Sequence, residues 1–217
     1  MSHPEQSLGL LARTIPGATR VFHAHHLDFC CGGKQTLQTA ADKAGLDASV
    51  IADQLDALRD STDEVVDWTE AATPDLVAHI LSRYHARHRE QLPELIRLAR
   101  RVEHVHGDRP ECPRGLADHL ENMQQELESH MQKEETVLFP MYQRDMAHPG
   151  LPPVQMMRME HDHHGKELAK LEALTNGITL PRGACNTWRA LYLGLQTLRE
   201  DLMAHIHLEN NVLFERG

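Results

Sequence analysis

Two histidine–glutamate pairs stand where apolar side chains are due. His130 and Glu134, and likewise His205 and Glu209, are spaced i and i+4, which puts each pair on one helix face. The first pair interrupts the stripe Leu116, Leu120, Met123, Leu127, His130, Glu134, Val137 and Met141. The second interrupts Trp188, Leu191, Leu195, Leu198, Leu202, His205, Glu209 and Val212. Steps of three and four along such stripes mark core-facing positions. A carboxylate there is costly unless it is paired, protonated or bound to a cation. Two identical intrusions call for one explanation.

The segments carrying them align without gaps, H-M-Q-K-E-E-T-V-L-F from His130 on H-I-H-L-E-N-N-V-L-F from His205. A weaker match sets His85 and His88 against His161 and His164, followed by Leu92 against Leu168 and Leu95 against Leu171. The chain thus reads as two related helical hairpins about a pseudo-twofold axis, with His130, Glu134, His205 and Glu209 at one level. One of His85 and His88 lies opposite His130, and one of His161 and His164 opposite His205; spacing leaves both choices open. His106 is 21 residues from His85, roughly 30 Å along a helix, too far to share the site.

Four imidazoles and two carboxylates exceed the needs of one closed tetrahedral zinc. They suit two ions with two histidines each, bridged by Glu134 and Glu209, with positions left open for small ligands such as O2 or NO. Donors of this kind without thiolate fit Fe, Mn or Zn, and the high histidine share points to the hemerythrin type rather than to the carboxylate-rich di-iron bundles. Glu126 and Glu160 are candidates to orient a ligand or line a channel, or are plain surface residues. His104, His119 and His148 read as solvated.

The elements that position these residues are long helices with short connections, over about 75–106, 114–146, 153–175 and 181–214. That pattern is all-α, an up-down-up-down four-helix bundle, and it occupies 74–217. Residues 1–60 read as a small helical module: a helix start at Thr14 before Ile15-Pro16, a turn at Cys30-Cys31-Gly32-Gly33, a helix from Thr36 to Gly45, and another capped by Asp47. Residues 61–73 read as a linker. A core this small needs the rest of the chain, or a second copy in a homodimer, to stay folded.

Composition narrows the function. A formal charge of −10 over 217 residues excludes a general nucleic-acid binder, which needs clustered Lys and Arg. No run of 18 apolar residues suggests a membrane span, and the N-terminal residues do not read as a signal peptide. Hydrophobic residues at 41% with aromatics at 4% suit helices packed through Leu, Met, Ala and Val. Cys30 and Cys31, with His23, His25 and His26 nearby, are candidates for a redox pair, an iron or nitrosyl relay, an intersubunit disulfide or structural thiols. Cys112 and Cys185 fall in loops at the same end of the bundle.

C-C-G-G-K-Q-T-L at Cys30–Leu37, R-Y-H-A-R-H-R-E-Q-L-P-E-L at Arg83–Leu95, H-M-Q-K-E-E at His130–Glu135, E-H-D at Glu160–Asp162 and H-I-H-L-E-N-N-V-L-F at His205–Phe214 occur together. In this the whole chain resembles the iron–sulfur cluster repair di-iron proteins, also called repair of iron centres proteins. The resemblance implies a hemerythrin-like bundle behind a cysteine-bearing module. It implies ligands His85, His130, Glu134, His161, His205 and Glu209 around two non-haem iron ions, bridged by oxo or hydroxo and carboxylate groups. It further implies a cytoplasmic protein whose partners are damaged or apo iron–sulfur proteins, repaired after oxidative or nitrosative stress by donated iron. NO reduction to N2O at the centre, or O2 carriage or sensing, is the alternative.

Overall fold

The computed structural model describes residues 3–15, 17–30, 32–59 and 67–217. Four short helices come first: α1 (Leu8–Thr14), α2 (Ala18–Ala24), α3 (Leu37–Ala44) and α4 (Ala48–Arg59). Local chemistry sets their starts. Ser7 Oγ accepts from Leu10 N at 3.3 Å, Thr36 Oγ1 from Thr39 N at 3.2 Å and Asp47 Oδ1 from Ser49 N at 2.8 Å, each satisfying an orphan amide of a first turn. Gly45 ends α3 in the left-handed region. The expected start at Thr14 is corrected: Ser7 caps the helix earlier, and Thr14 is its last residue, its hydroxyl donating to Leu10 O at 2.8 Å.

Four long helices follow. The first, α5, runs over residues 73–106, with Pro74 in its first turn and a π-helical turn at Leu81–His85. The second, α6, covers 116–142, with a π-helical turn at Glu134–Leu138. Then come α7 (Pro152–Leu174) and α8 (Asn186–Asn211), closed by a 3₁₀ turn at Leu213–Glu215. The last helix begins later than the sequence suggests, because a turn with Gly183 at positive φ follows Pro181. Helix α5 packs on α6 and α8, and α7 packs on the same two, so the four form the expected up-down-up-down bundle.

Of the segment expected as a linker, residues 61–66 lie outside the described residues. The part just beyond them is tied to the bundle: Arg216 donates to Trp68 O at 2.7 Å and to Thr73 Oγ1 at 3.0 Å. No helix among the described residues is long and apolar enough to cross a membrane.

The apolar interior falls into two clusters. One joins the N-terminal module to one end of the bundle, from Leu8, Phe22 and Leu55 through Leu120, Trp188 and Ile206. The other fills the opposite end with Leu76, Tyr84, Leu138, Phe139, Val154 and Phe214. The module meets α8 at Asn211: a Cβ on Gly9 would lie 2.6 Å from Asn211 Oδ1 and one on Gly33 3.2 Å from the same oxygen. Within the module the Gly33 Cβ would also lie 2.6 Å from the backbone oxygen of Phe29, a place that suits glycine.

One core assignment is corrected. Val137 is 50% exposed, and Leu138 takes the buried position at 1%. The π-helical turn adds a residue to the helix at that level, so the stripe slips by one after Glu134.

Candidate metal centre

Between the two apolar clusters lies a layer of polar side chains. His85, His130, Glu134, His161, His205 and Glu209 converge there, none more than 1% exposed. All four long helices contribute. Both π-helical turns sit at this level, one ending at His85 and the other beginning at Glu134, as π-turns often do at functional sites.

The donors form two sets, His85, Glu134, His205 and Glu209, and His130, Glu134, His161 and Glu209, each with its donor atoms within 4.8 Å of one another. Both glutamates belong to both sets. In the first, His85 Nε2 is 3.1 Å from His205 Nε2 and 3.5 Å from Glu134 Oε2, and His205 Nε2 is 3.0 Å from Glu209 Oε1. In the second, His161 Nε2 is 3.1 Å from both His130 Nε2 and Glu209 Oε2, and His130 Nε2 is 3.3 Å from Glu134 Oε1. Donors bound at about 2.1 Å to one ion are about 3.0–3.4 Å apart, so these spacings fit a first-row cation in each set. Both oxygens of Glu134 and Oε2 of Glu209 are buried without a hydrogen bond of sound geometry. Unsatisfied buried carboxylate oxygens are rare in native proteins, and cations would satisfy them.

In the metal-free chain, burial opposes charge on His85, but Glu134 and Glu209 outweigh it and push its pKa up to about 10. His130 is likewise buried, yet Glu134 and Glu160 push it up to about 10. Burial and mutual repulsion work against the two carboxylates; the surrounding imidazoles nevertheless hold Glu134 below the usual range and Glu209 well below it. Protons on imidazoles therefore stand in for the cations.

Three of the four outward-facing nitrogens have partners, of two kinds. His85 Nδ1 is 2.8 Å from Glu135 Oε1, which also accepts from Arg89 Nη1 at 2.9 Å. His130 Nδ1 is 2.8 Å from Glu160 Oε2, and Lys133 pairs with the other oxygen of that carboxylate. Hydrogen bonds from His130 and Lys133, against burial, bring Glu160 down to about 2. His161 Nδ1 is 2.8 Å from the amide oxygen of Asn210, whereas His205 Nδ1 has no hydrogen-bond partner among the described residues. Aromatic rings cover the imidazoles: Tyr84 stacks on His205 at 5.4 Å and Phe214 on His161 at 5.6 Å, both nearly parallel.

The structure thus places His85 and His161, not His88 and His164, with their Nε2 atoms among the donors. His88 and His164 are also buried, one turn on, with ring contacts to His205 and His130 respectively. Burial, followed by neighbouring imidazoles, takes each down to about 3. Glu160 touches a donor histidine; Glu126 does not, and is exposed beside His163 at 3.1 Å. His119, read as solvated, is 3% exposed, and its Nε2 donates to Glu167 O at 2.9 Å. His106 lies at the far end, 3.2 Å from Cys185 Sγ. Cys30 is buried, with its amide 3.1 Å from Asp28 Oδ1, and Cys31 lies outside the described residues. Glu135 and Asn210 escape a reading of the sequence, although both sit beside donors within the H-M-Q-K-E-E and H-I-H-L-E-N-N-V-L-F motifs.

Comparison with known proteins agrees with this geometry. Residues 76–216 match the hemerythrin HHE cation binding domain, and residues 4–59 match ScdA_N, a domain of unknown function (DUF542). The iron-sulfur cluster repair protein YtfE of Yersinia pseudotuberculosis serotype O:1b (strain IP 31758) is 53% identical over 217 residues, 100% of this chain and 98% of the relative. Its counterpart in Yersinia pestis (strain Pestoides F) is 52% identical over the same shares of both chains. With a cation-binding hemerythrin bundle behind an ScdA_N module, and full-length relatives at this identity, the chain belongs to the iron–sulfur cluster repair protein family.

Proposed function

We propose that the polar layer holds two iron ions, one in each donor set, with Glu134 and Glu209 shared between them, and that the chain repairs damaged iron–sulfur clusters by donating iron. The observation that carries this reading is the membership of both glutamates in both donor sets. Imidazole and carboxylate donors suit iron, and Fe2+ stands low in the affinity order for such donors, which favours release. The relatives' name, iron-sulfur cluster repair protein, supports the same role here. The targets are iron–sulfur proteins with damaged or empty clusters, in the cytoplasm. The division into a module over 1–60 and a bundle over 74–217 is supported by the two family matches.

A donor must survive giving up its cargo. Here the emptied layer is self-compensating. His85 and His130, with pKa values pushed up to about 10 by the neighbouring carboxylates, hold protons near neutrality, which keeps positive charge beside the buried carboxylates. The rings of Tyr84, Phe139 and Phe214 against the imidazoles limit water at this layer in either state. Bound iron supplies the cation that a depleted cluster lacks, and the protein residues hold, shield and release it.

The test is metal analysis of the protein from iron-replete cells, followed by anaerobic transfer to an apo iron–sulfur scaffold. Two irons per chain, and faster transfer from the reduced than the oxidised protein, are expected. One zinc and no iron would refute the centre. A chain that gives up no iron yet consumes NO would refute donation in favour of NO reduction.

A further inference from the structure

The four donor histidines are not equally held. On the first hairpin, His85 and His130 lean on carboxylates that are themselves backed by Arg89 and Lys133. On the second, His161 leans on a neutral amide and His205 Nδ1 on no described residue. A carboxylate behind an imidazole makes it a stronger and better-oriented ligand than an amide does. Each donor set therefore pairs one firmly backed histidine with one weakly backed one.

The amide behind His161 has a second attachment. Asn210 is 6% exposed; its Oδ1 accepts from His161 Nδ1 at 2.8 Å while its Nδ2 donates to the backbone carbonyl of Cys30 at 3.2 Å. The neighbouring Asn211 donates from its own Nδ2 to Phe29 O at 3.3 Å and faces His207 Nδ1 at 3.0 Å. Two successive carbonyls of the cysteine turn are thus held by two successive asparagines at the end of α8, one of which also anchors a donor histidine. If the turn moves, Asn210 loses the acceptor for a buried N–H, which is costly; the amide then reorients and withdraws its oxygen from His161.

We propose that Asn210 is a positioning residue that makes the grip of His161 on one iron depend on the conformation of the Cys30 turn. This rests on the two-iron reading of the polar layer. Coupling of this kind is reciprocal: displacing the turn loosens one of the two ions, and loading the centre steadies the turn. Any displacement of the turn therefore acts on the second donor set without touching the metal.

The experiment uses the full chain, loaded anaerobically with Fe2+, as wild type, Asn210→Ala and Asn210→Asp. Alanine removes both attachments. Aspartate keeps an acceptor for His161 but has no N–H for Cys30. One measurement is the rate of iron loss to a chelator; the other is amide hydrogen exchange across residues 28–33, with and without metal. In wild type, loading slows exchange in the turn. Asn210→Ala should release one of its two irons about tenfold faster, and Asn210→Asp should restore slow release; in neither variant should the turn respond to loading. A general loss of stability would not separate the two variants in this way, and melting of the metal-free forms checks that both fold. Equal release from wild type and Asn210→Ala, or a wild-type turn indifferent to loading, overturns the coupling. A wild-type chain that takes up no metal overturns the centre itself.

Discussion

His85 Nδ1 and Glu135 Oε1 meet at 2.8 Å from two different helices, although Glu135 is next in sequence to a carboxylate facing the opposite side of the same imidazole. Glu134 approaches from within and Glu135 from behind. Glu135→Ala should cut metal affinity about tenfold or more, measured by competition with a chelator. Glu94→Ala removes an exposed carboxylate paired with Arg97 and should change nothing. Equal affinities in the two variants would argue against His85 as a ligand.

The protonated imidazoles make a stability prediction for the metal-free chain. His85 and His130 sit at about 10 when folded, against an ordinary 6.5. Stability gained from a raised pKa is fully present below the unfolded value and lost as pH rises through the folded one. The metal-free melting temperature should therefore fall between about pH 7 and pH 10, and fall less when metal is bound. Glu134 and Glu209, held below 4.5, work in the other direction and lose their contribution in acid. Metal uptake near neutrality should release protons, since a ligating imidazole must be neutral; a pH indicator in weak buffer reads this directly.

Removing His130 deletes a donor that no neighbour on its face replaces. His130→Ala should keep the helical bundle and lose at least one of two irons, by metal analysis. His106→Ala should keep both, because that ring stands at the far end against Cys185 and Trp188. Full iron in His130→Ala would count against the second donor set.

The π-helical turn in α6 can be tested through two adjacent side chains. Leu138→Ala should destabilise the chain by about 2–5 kcal/mol, the usual cost of truncating a buried leucine. Val137→Ala should stay within about 0.5 kcal/mol, as for most surface changes. Chemical denaturation separates the two, and the reverse order would place the stripe where unbroken α-helical spacing puts it.

That turn also shows where the sequence stops being legible. The bundle can be read from long apolar stripes and short connections. The polar layer can be read because His130–Glu134 and His205–Glu209 violate those stripes in the same way. The choice between His85 and His88 cannot be made from spacing, because an added residue within Leu81–His85 rotates the rest of the helix by an amount no helical wheel anticipates. Partners that approach across helices, Glu135 to His85 and Asn210 to His161, leave no periodic trace. His119 reads as solvated for a similar reason, since the carbonyl that satisfies it belongs to α7. In the module, Thr14-Ile15-Pro16 looks like a helix start because its residue types suit one, while Ser7 has already capped α1.

The polar layer parts the apolar interior into one cluster shared with the N-terminal module and another around Phe139 and Phe214. Apolar contact alone therefore does not weld the two ends of the bundle together. Without cations, each end has grounds to open separately, and hydrogen exchange should resolve two protection levels divided at the level of Glu134 and Glu209. With the layer filled, the ends should exchange as one unit. Loss of the ions would then show along the whole length of the protein as a drop in cooperativity, at positions far from the metal layer.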